Sequence, residues 1–79
     1  MKQEYNLVLG IYRQDSRVSS YLLEKNYKRF DLILHFVEYY KAKLNGEYDE
    51  LLKGYQGYIE LEVIEDGKLI NIEEVEVRM

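Results

Sequence analysis

The sequence predicts an α+β fold: a four-stranded antiparallel sheet with the chain order β-β-α-β-β and one main helix on one face of the sheet. Three patterns support this prediction. Apolar residues alternate with polar ones near the start of the chain, recur at helical spacing in its middle, and alternate again on both sides of an Asp-Gly pair near its end. The 79 residues leave room for one domain, so we expect a single domain over residues 1–79.

The first two elements are predicted to form a hairpin. A strand over residues 4–13 has one apolar face, which consists of Tyr5, Leu7, Leu9 and Ile11. Polar residues 14–16 form a turn, and a second strand follows over 17–24. Residues 17–25 also fit a helical spacing, but one helix from Ser19 to Asn45 would be about 40 Å long at 1.5 Å per residue, too long for so small a domain. A β-α-β-β fold with this longer helix is the alternative.

The main helix is predicted from its apolar spacing and its end signals. Asn26 is a residue type that caps a first helical turn, and Asn45-Gly46 is typical of a left-handed helix exit. The spacing i, i+3, i+4, i+7 predicts a buried stripe made of Phe30, Ile33, Leu34, Val37, Tyr40 and Leu44. A short helical turn over residues 47–53 follows, and Gly54 and Gly57 lead into the next strand.

The last third of the chain predicts a second hairpin around Asp66-Gly67, the preferred pair for a two-residue type I′ turn. This turn sets a register in which the paired residues are Val63 with Ile70 and Leu61 with Ile72. Beyond those pairs the apolar positions change from even numbers, Ile70 and Ile72, to odd numbers, Val75 and Val77. We therefore predict a β-bulge at Glu73-Glu74, which restores the register and places Val75 opposite Ile59.

The net charge of −4 is unevenly distributed along the chain. Residues 1–46 carry eight basic and five acidic side chains, a net charge of +3, whereas residues 47–79 carry three and ten, a net charge of −7. The predicted register places several glutamates on the outward face of the final hairpin, although like charges facing each other destabilise strand pairing. Such a face is typical either of a solvated surface or of a surface that recognises a basic partner. The predicted partner-binding residues, with nearby tyrosines, are Glu60, Glu62, Glu73, Glu74, Glu76, Tyr48, Tyr55 and Tyr58.

The basic first half supports a second hypothesis, that the chain binds nucleic acid. Basic side chains contact phosphates, and a tyrosine ring stacks on a base. The candidate residues are Arg13, Arg17, Lys25, Lys28, Arg29 and Tyr27. A third hypothesis is a structural homo-oligomer, a homodimer in its simplest form, that joins the basic surface of one copy to the acidic surface of another.

The composition argues against catalysis and against metal binding. The chain has one histidine and no cysteine, which excludes most catalytic triads and most zinc sites. Asp31, His35 and Glu38 share one helix face, but a single helix with one histidine lacks the paired motifs of a di-metal site. Nucleotide-binding and hydrolase fingerprints do not occur. We expect no catalytic residue, no metal and no cofactor.

The leading hypothesis is a small non-enzymatic domain whose acidic, tyrosine-bearing face binds a partner protein with a basic surface. Acidic α+β domains of this size are a common format for phage- or mobile-element-encoded inhibitors that take the place of nucleic acid, an analogy of size and charge alone. Residues 1–5 lack the apolar core of a signal peptide, and no apolar run is long enough to span a bilayer. We therefore expect a cytoplasmic protein without a membrane partner.

Overall fold

The computed structural model describes residues 3–75, which form four strands and two helices. Their order is β1 (Gln3–Arg13), β2 (Ser16–Asn26), α1 (Arg29–Leu44), α2 (Asp49–Leu52), β3 (Gln56–Glu65) and β4 (Lys68–Glu74). The strands form one antiparallel sheet in the spatial order β2-β1-β3-β4, and α1 packs against one face of it. The predicted α+β fold is confirmed. The alternative with a longer helix is wrong, because residues 17–25 belong to a strand.

The core lies between α1 and the two central strands. Leu7 and Leu9 of β1 and Leu61 of β3 have no exposed surface, and neither does Leu32 of α1. Leu7 pairs directly with Leu61 across the sheet, and Leu9 pairs with Ile59. Burial of each such side chain contributes about 2 kcal/mol. The predicted apolar face of the first strand therefore forms the sheet side of the core.

Helix α1 is rotated relative to the predicted stripe. Leu32 and Phe36 are its buried residues, and Tyr39 and Tyr40 pack at the edge of the core. Four members of the predicted stripe have large exposed fractions: Phe30 69%, Leu34 59%, Val37 37% and Leu44 60%. The helix has more apolar positions than one face of a four-stranded sheet covers, and the spacing rule therefore favoured the longer of its two apolar stripes. The shorter stripe, which contains Leu32 and Phe36, is the one that packs against the sheet.

The start of α1 differs from the prediction. Lys28 is the N-cap residue, and no side chain caps the helix. Asn26 instead ends β2, and its Oδ1 accepts a hydrogen bond from the backbone N–H of Lys28 at 3.0 Å. The asparagine thus turns the chain two residues before the N-cap Lys28 rather than capping the first turn of the helix.

The end of α1 is as predicted. Gly46 has a φ of +79°, and its N–H donates to the carbonyl of Lys43 at 3.1 Å. The N–H of Glu47 donates to the carbonyl of Ala42 at 3.1 Å, which completes a Schellman motif. The predicted helical turn over residues 47–53 is also present, as α2.

The final hairpin has the predicted turn but a different register. Asp66 and Gly67 have φ values of +50° and +80°, as a type I′ turn requires. The pairs Ile64–Leu69 and Val63–Asn71 leave Ile70 as the extra residue, so the bulge lies beside the turn. The predicted pairs Val63–Ile70 and Leu61–Ile72 are therefore wrong.

The ladder runs without interruption through Glu73 and Glu74, which pair with Leu61 and Glu60. The bulge predicted at Glu73-Glu74 is wrong. The bulge lies near the turn instead, and Glu73 therefore faces the helix side of the sheet, where its carboxylate lies 3.1 Å from Arg29. The prediction counted only the alternation of apolar residues and took no account of ion pairs. One extra residue in β4 still lets Val75 pack against the core.

Candidate functional site

The predicted acidic face contains two glutamates that are buried rather than exposed. Glu60 and Glu62 lie on the sheet face opposite α1, yet their exposed fractions are 1% and 8%. Arg17 of β2 reaches over β1 to both of them: its Nε lies 3.2 Å from Glu60, and one terminal nitrogen lies 2.8 Å from Glu62. The hydroxyl of Tyr12 donates a hydrogen bond to Glu60. One guanidinium therefore pairs with two of the five glutamates that were predicted to meet a partner.

Gly10 makes this buried cluster sterically possible. A Cβ atom at position 10 would lie 1.9 Å from Oε1 of Glu60. The carboxylate thus occupies the space that a side chain on the neighbouring strand would fill. A glycine inside an apolar strand pattern is a known signal of such a close approach, and it was visible in the sequence.

The ionisable groups of the cluster stabilise one another. The hydrogen bond to Glu60 raises the pKa of Tyr12, and burial and the negative charge of Glu60 raise it further. Burial by itself would lower the pKa of Arg17, but the hydrogen bond to Glu62 and the charges of both glutamates raise it. A buried ion cluster of this kind fixes side-chain geometry, and removing one partner from it is strongly destabilising.

Within the described residues, only one of the remaining predicted glutamates shares the sheet face of Glu60 and Glu62. Glu74 is exposed and pairs with Glu60 on the same sheet face. Glu73 lies on the opposite face, beside Arg29. Glu76 lies outside the described residues.

The predicted tyrosines lie in separate places. Tyr58 packs edge-on against Tyr12, with ring centroids 5.3 Å apart, and so borders the buried cluster. Tyr55 lies in the turn after α2 and is 46% exposed. Tyr48, immediately before α2, is half-buried and lies in a groove with Tyr21 of β2.

This groove, which we call the acidic groove, lies between the edge strand β2 and the segment around α2. It has a volume of about 650 Å³ and is lined by Tyr21, Glu47, Tyr48, Glu50, Leu51 and Lys53. Glu47 and Glu50 are exposed, and Tyr21 is 49% exposed. Burial raises the pKa of Tyr48, and the charge of Glu47 raises it further, so its phenol stays neutral. Two aromatic rings and two accessible carboxylates in one cavity are suited to a cationic side chain.

Sequence analysis found only part of the acidic groove. Tyr48 was singled out because it lies beside the acidic second half of the chain. Tyr21 was missed because it is about 27 residues away, and only the fold brings β2 beside α2. The adjacent acidic residues Glu47 and Glu50 were visible as a local cluster, but the predicted glutamates of the hairpin gave the stronger pattern.

A smaller cavity of about 200 Å³ lies between α1 and the β3–β4 hairpin. Its walls include Phe36 and Tyr40, whose rings stack with centroids 6.0 Å apart, and it ends at Val75.

The predicted nucleic-acid residues do not form one patch. Arg13 and Arg17 lie at the turn end of the β1–β2 hairpin, whereas Lys25 lies at the other end of β2, about 26 Å away at 3.3 Å per residue. Lys28 and Arg29 lie beyond that far end, at the start of α1. Arg17 is held by the buried glutamates, and Lys25 pairs with Glu4 at 3.2 Å. Tyr27 is 60% exposed and lies at the far end as well.

The single histidine connects α1 to the sheet. Its Nδ1 lies 2.6 Å from Oε2 of Glu24 on β2, and the Tyr39 hydroxyl donates to the other oxygen of Glu24 at 3.1 Å. The hydrogen bond to Glu24 raises the pKa of His35. Within residues 3–75, no group of three or more histidine or carboxylate side chains is arranged to hold a metal ion.

The part of the chain that the structure describes has no helix that is both long and apolar enough to cross a membrane. No protein-family model matches the chain, and neither a curated protein nor a solved structure matches it.

Proposed function

We propose that this chain is a non-enzymatic protein-binding domain that holds a basic segment of a partner protein in the acidic groove. The observation that carries this proposal is the composition of the groove: Tyr21, Tyr48, Glu47 and Glu50 line one open cavity. The glutamates predicted for this role, Glu60 and Glu62, already form ion pairs with Arg17. The acidic groove offers carboxylates that remain accessible.

An arginine or lysine of the partner is the ligand that fits this chemistry. A cation over an exposed tyrosine ring gains about 0.5–1 kcal/mol. A charge-assisted hydrogen bond to Glu47 or Glu50 adds both energy and direction. Lys53 lines the same groove, and its positive charge opposes part of the attraction that the two carboxylates exert on a cation.

The net charge of the chain supports the same type of partner. It is −4, and a negative net charge accelerates the approach of a basic surface. A partner whose basic surface serves to contact nucleic acid has the right charge. Binding to such a surface would make this domain an inhibitor that takes the place of nucleic acid.

The experiment measures the affinity of a fluorescein-labelled arginine- and lysine-rich peptide by anisotropy. In the variant with Glu47→Gln and Glu50→Gln, we expect the affinity to fall about tenfold, equivalent to about 1.4 kcal/mol. The matched control, Glu38→Gln with Glu65→Gln, removes the same charge outside the groove and should change the affinity by less than about twofold.

Equal losses in the two variants would contradict the proposal, because they would show nonspecific attraction to net charge. A labelled oligonucleotide provides the second comparison. Tight, salt-sensitive binding of the oligonucleotide, with none of the peptide, would favour the basic residues of the first half instead.

A further inference from the structure

The outward side of α1 carries an apolar stripe that nothing in residues 3–75 covers. Its members are spaced four, three and seven residues apart, which keeps them on one side of a helix with 3.6 residues per turn. We call Phe30, Leu34, Val37 and Leu44 the outer stripe. Their exposed fractions are 69%, 59%, 37% and 60%.

The outer stripe is unusual for a helix that packs on a sheet. Such a helix normally buries one apolar face and presents polar residues on the other. Here α1 already buries Leu32 and Phe36 against the sheet, so its outer stripe is a second apolar face. Exposed apolar side chains concentrated on one helix face mark an interaction site.

From this surface we infer that two copies of the chain associate through their α1 helices, packed antiparallel about a two-fold axis at Val37. Phe30 and Leu44 each lie seven positions from that residue, and the counterpart of Leu34 is the half-buried Tyr40. In an antiparallel pair, Phe30 of one copy contacts Leu44 of the other, and the two Val37 side chains meet at the axis. A two-fold interface requires this kind of self-complementary surface.

The charges beside the outer stripe favour the antiparallel arrangement. Asp31 lies six residues before Val37 and beside the outer stripe, whereas Lys41 lies four residues after Val37 and within the stripe, between Val37 and Leu44. Antiparallel packing brings Asp31 of one copy to within about 3 Å of Lys41 of the other along the helix axis, at 1.5 Å per residue. Neither side chain forms an ion pair within residues 3–75. Parallel packing would instead place Asp31 of one copy beside Asp31 of the other, and like charges repel.

Sedimentation equilibrium tests this inference with the chain alone. We expect the mass to rise with concentration toward twice the 9.6 kDa of one chain. The variant with Leu34→Glu and Val37→Glu should stay monomeric. The control variant carries Leu69→Glu and Ile70→Glu on β4, where the side chains are 48% and 50% exposed, and it should still dimerise. Circular dichroism confirms that both variants fold.

A cysteine placed on the axis tests the geometry separately. The chain has no cysteine, so Val37→Cys introduces a single thiol. Helix axes 8–10 Å apart bring two Val37 Cα atoms into the range that a disulfide needs. We expect rapid oxidation to a covalent dimer, and we expect a Leu51→Cys control to oxidise at least tenfold more slowly.

Charge exchange tests the direction of the helices. Asp31→Lys should weaken the dimer about tenfold, and adding Lys41→Asp should restore it. A chain that stays monomeric at every soluble concentration would overturn the inference. So would a dimer that the stripe variant leaves intact, or equal oxidation rates for the two cysteine variants.

Discussion

Gly10 and Glu60 show how much of this structure depends on single residues. The glycine leaves a space on β1 that the Glu60 carboxylate occupies from β3, while Arg17 and Tyr12 hold that carboxylate from two other directions. The glycine was a readable signal of close approach in the sequence. Its partner was not readable, because Arg17 and Glu60 are separated by 43 residues and no local pattern connects them.

Gly10→Ala should destabilise the fold by about 2 kcal/mol, as overpacking of a filled site does. The new methyl group would displace the Glu60 carboxylate and break its contacts with Arg17 and Tyr12. Denaturant unfolding measures the effect. In a Glu60→Ala background the same substitution should cost less than about 0.5 kcal/mol, since the two positions couple directly. Equal costs in both backgrounds would contradict the steric explanation.

At the level of elements, the sequence predicted what depends on local chemistry. The exit of α1 at Gly46 and the type I′ turn at Asp66-Gly67 follow from backbone conformations that few residues adopt, and both were predicted correctly. The face that α1 buries was not predictable in this way. It depends on how the whole helix packs on the sheet, where His35 and Tyr39 contact Glu24. The position of the bulge in β4 was likewise not readable from local chemistry, and it places Glu73 on the helix side beside Arg29.

The contact between α1 and β2 predicts that the stability of the fold depends on pH, and the single histidine, His35, allows this to be measured. Because Glu24 raises the pKa of His35, the contact stabilises the fold fully below the ordinary histidine pKa of about 6.5. That contribution is lost as the pH rises through the raised pKa. In an NMR titration, the His35 ring should show a pKa above its usual value, and Glu24→Gln should lower it. An unchanged pKa in that variant would show that α1 does not contact β2 through these residues.

For the whole molecule, the uneven charge along the sequence has a different meaning in three dimensions. Two glutamates of the final hairpin, Glu60 and Glu62, are buried and pair with a basic residue of the first half. The acidic groove around Tyr48 and the outer stripe of α1 remain accessible. Composition and periodicity predicted a binding domain, but the acidic groove emerged only when residues distant in sequence were brought together, and the outer stripe only when α1 was found to bury its other face.

The most direct measurement of the central claim is an NMR titration of the chain with the arginine- and lysine-rich peptide. If the acidic groove is the binding surface, the largest amide shift changes will fall at Tyr21 and over residues 47–53, and they will diminish as salt screens the charges. Shift changes that cluster on the sheet face around Glu60 and Glu74, with none around Tyr48, would contradict the account.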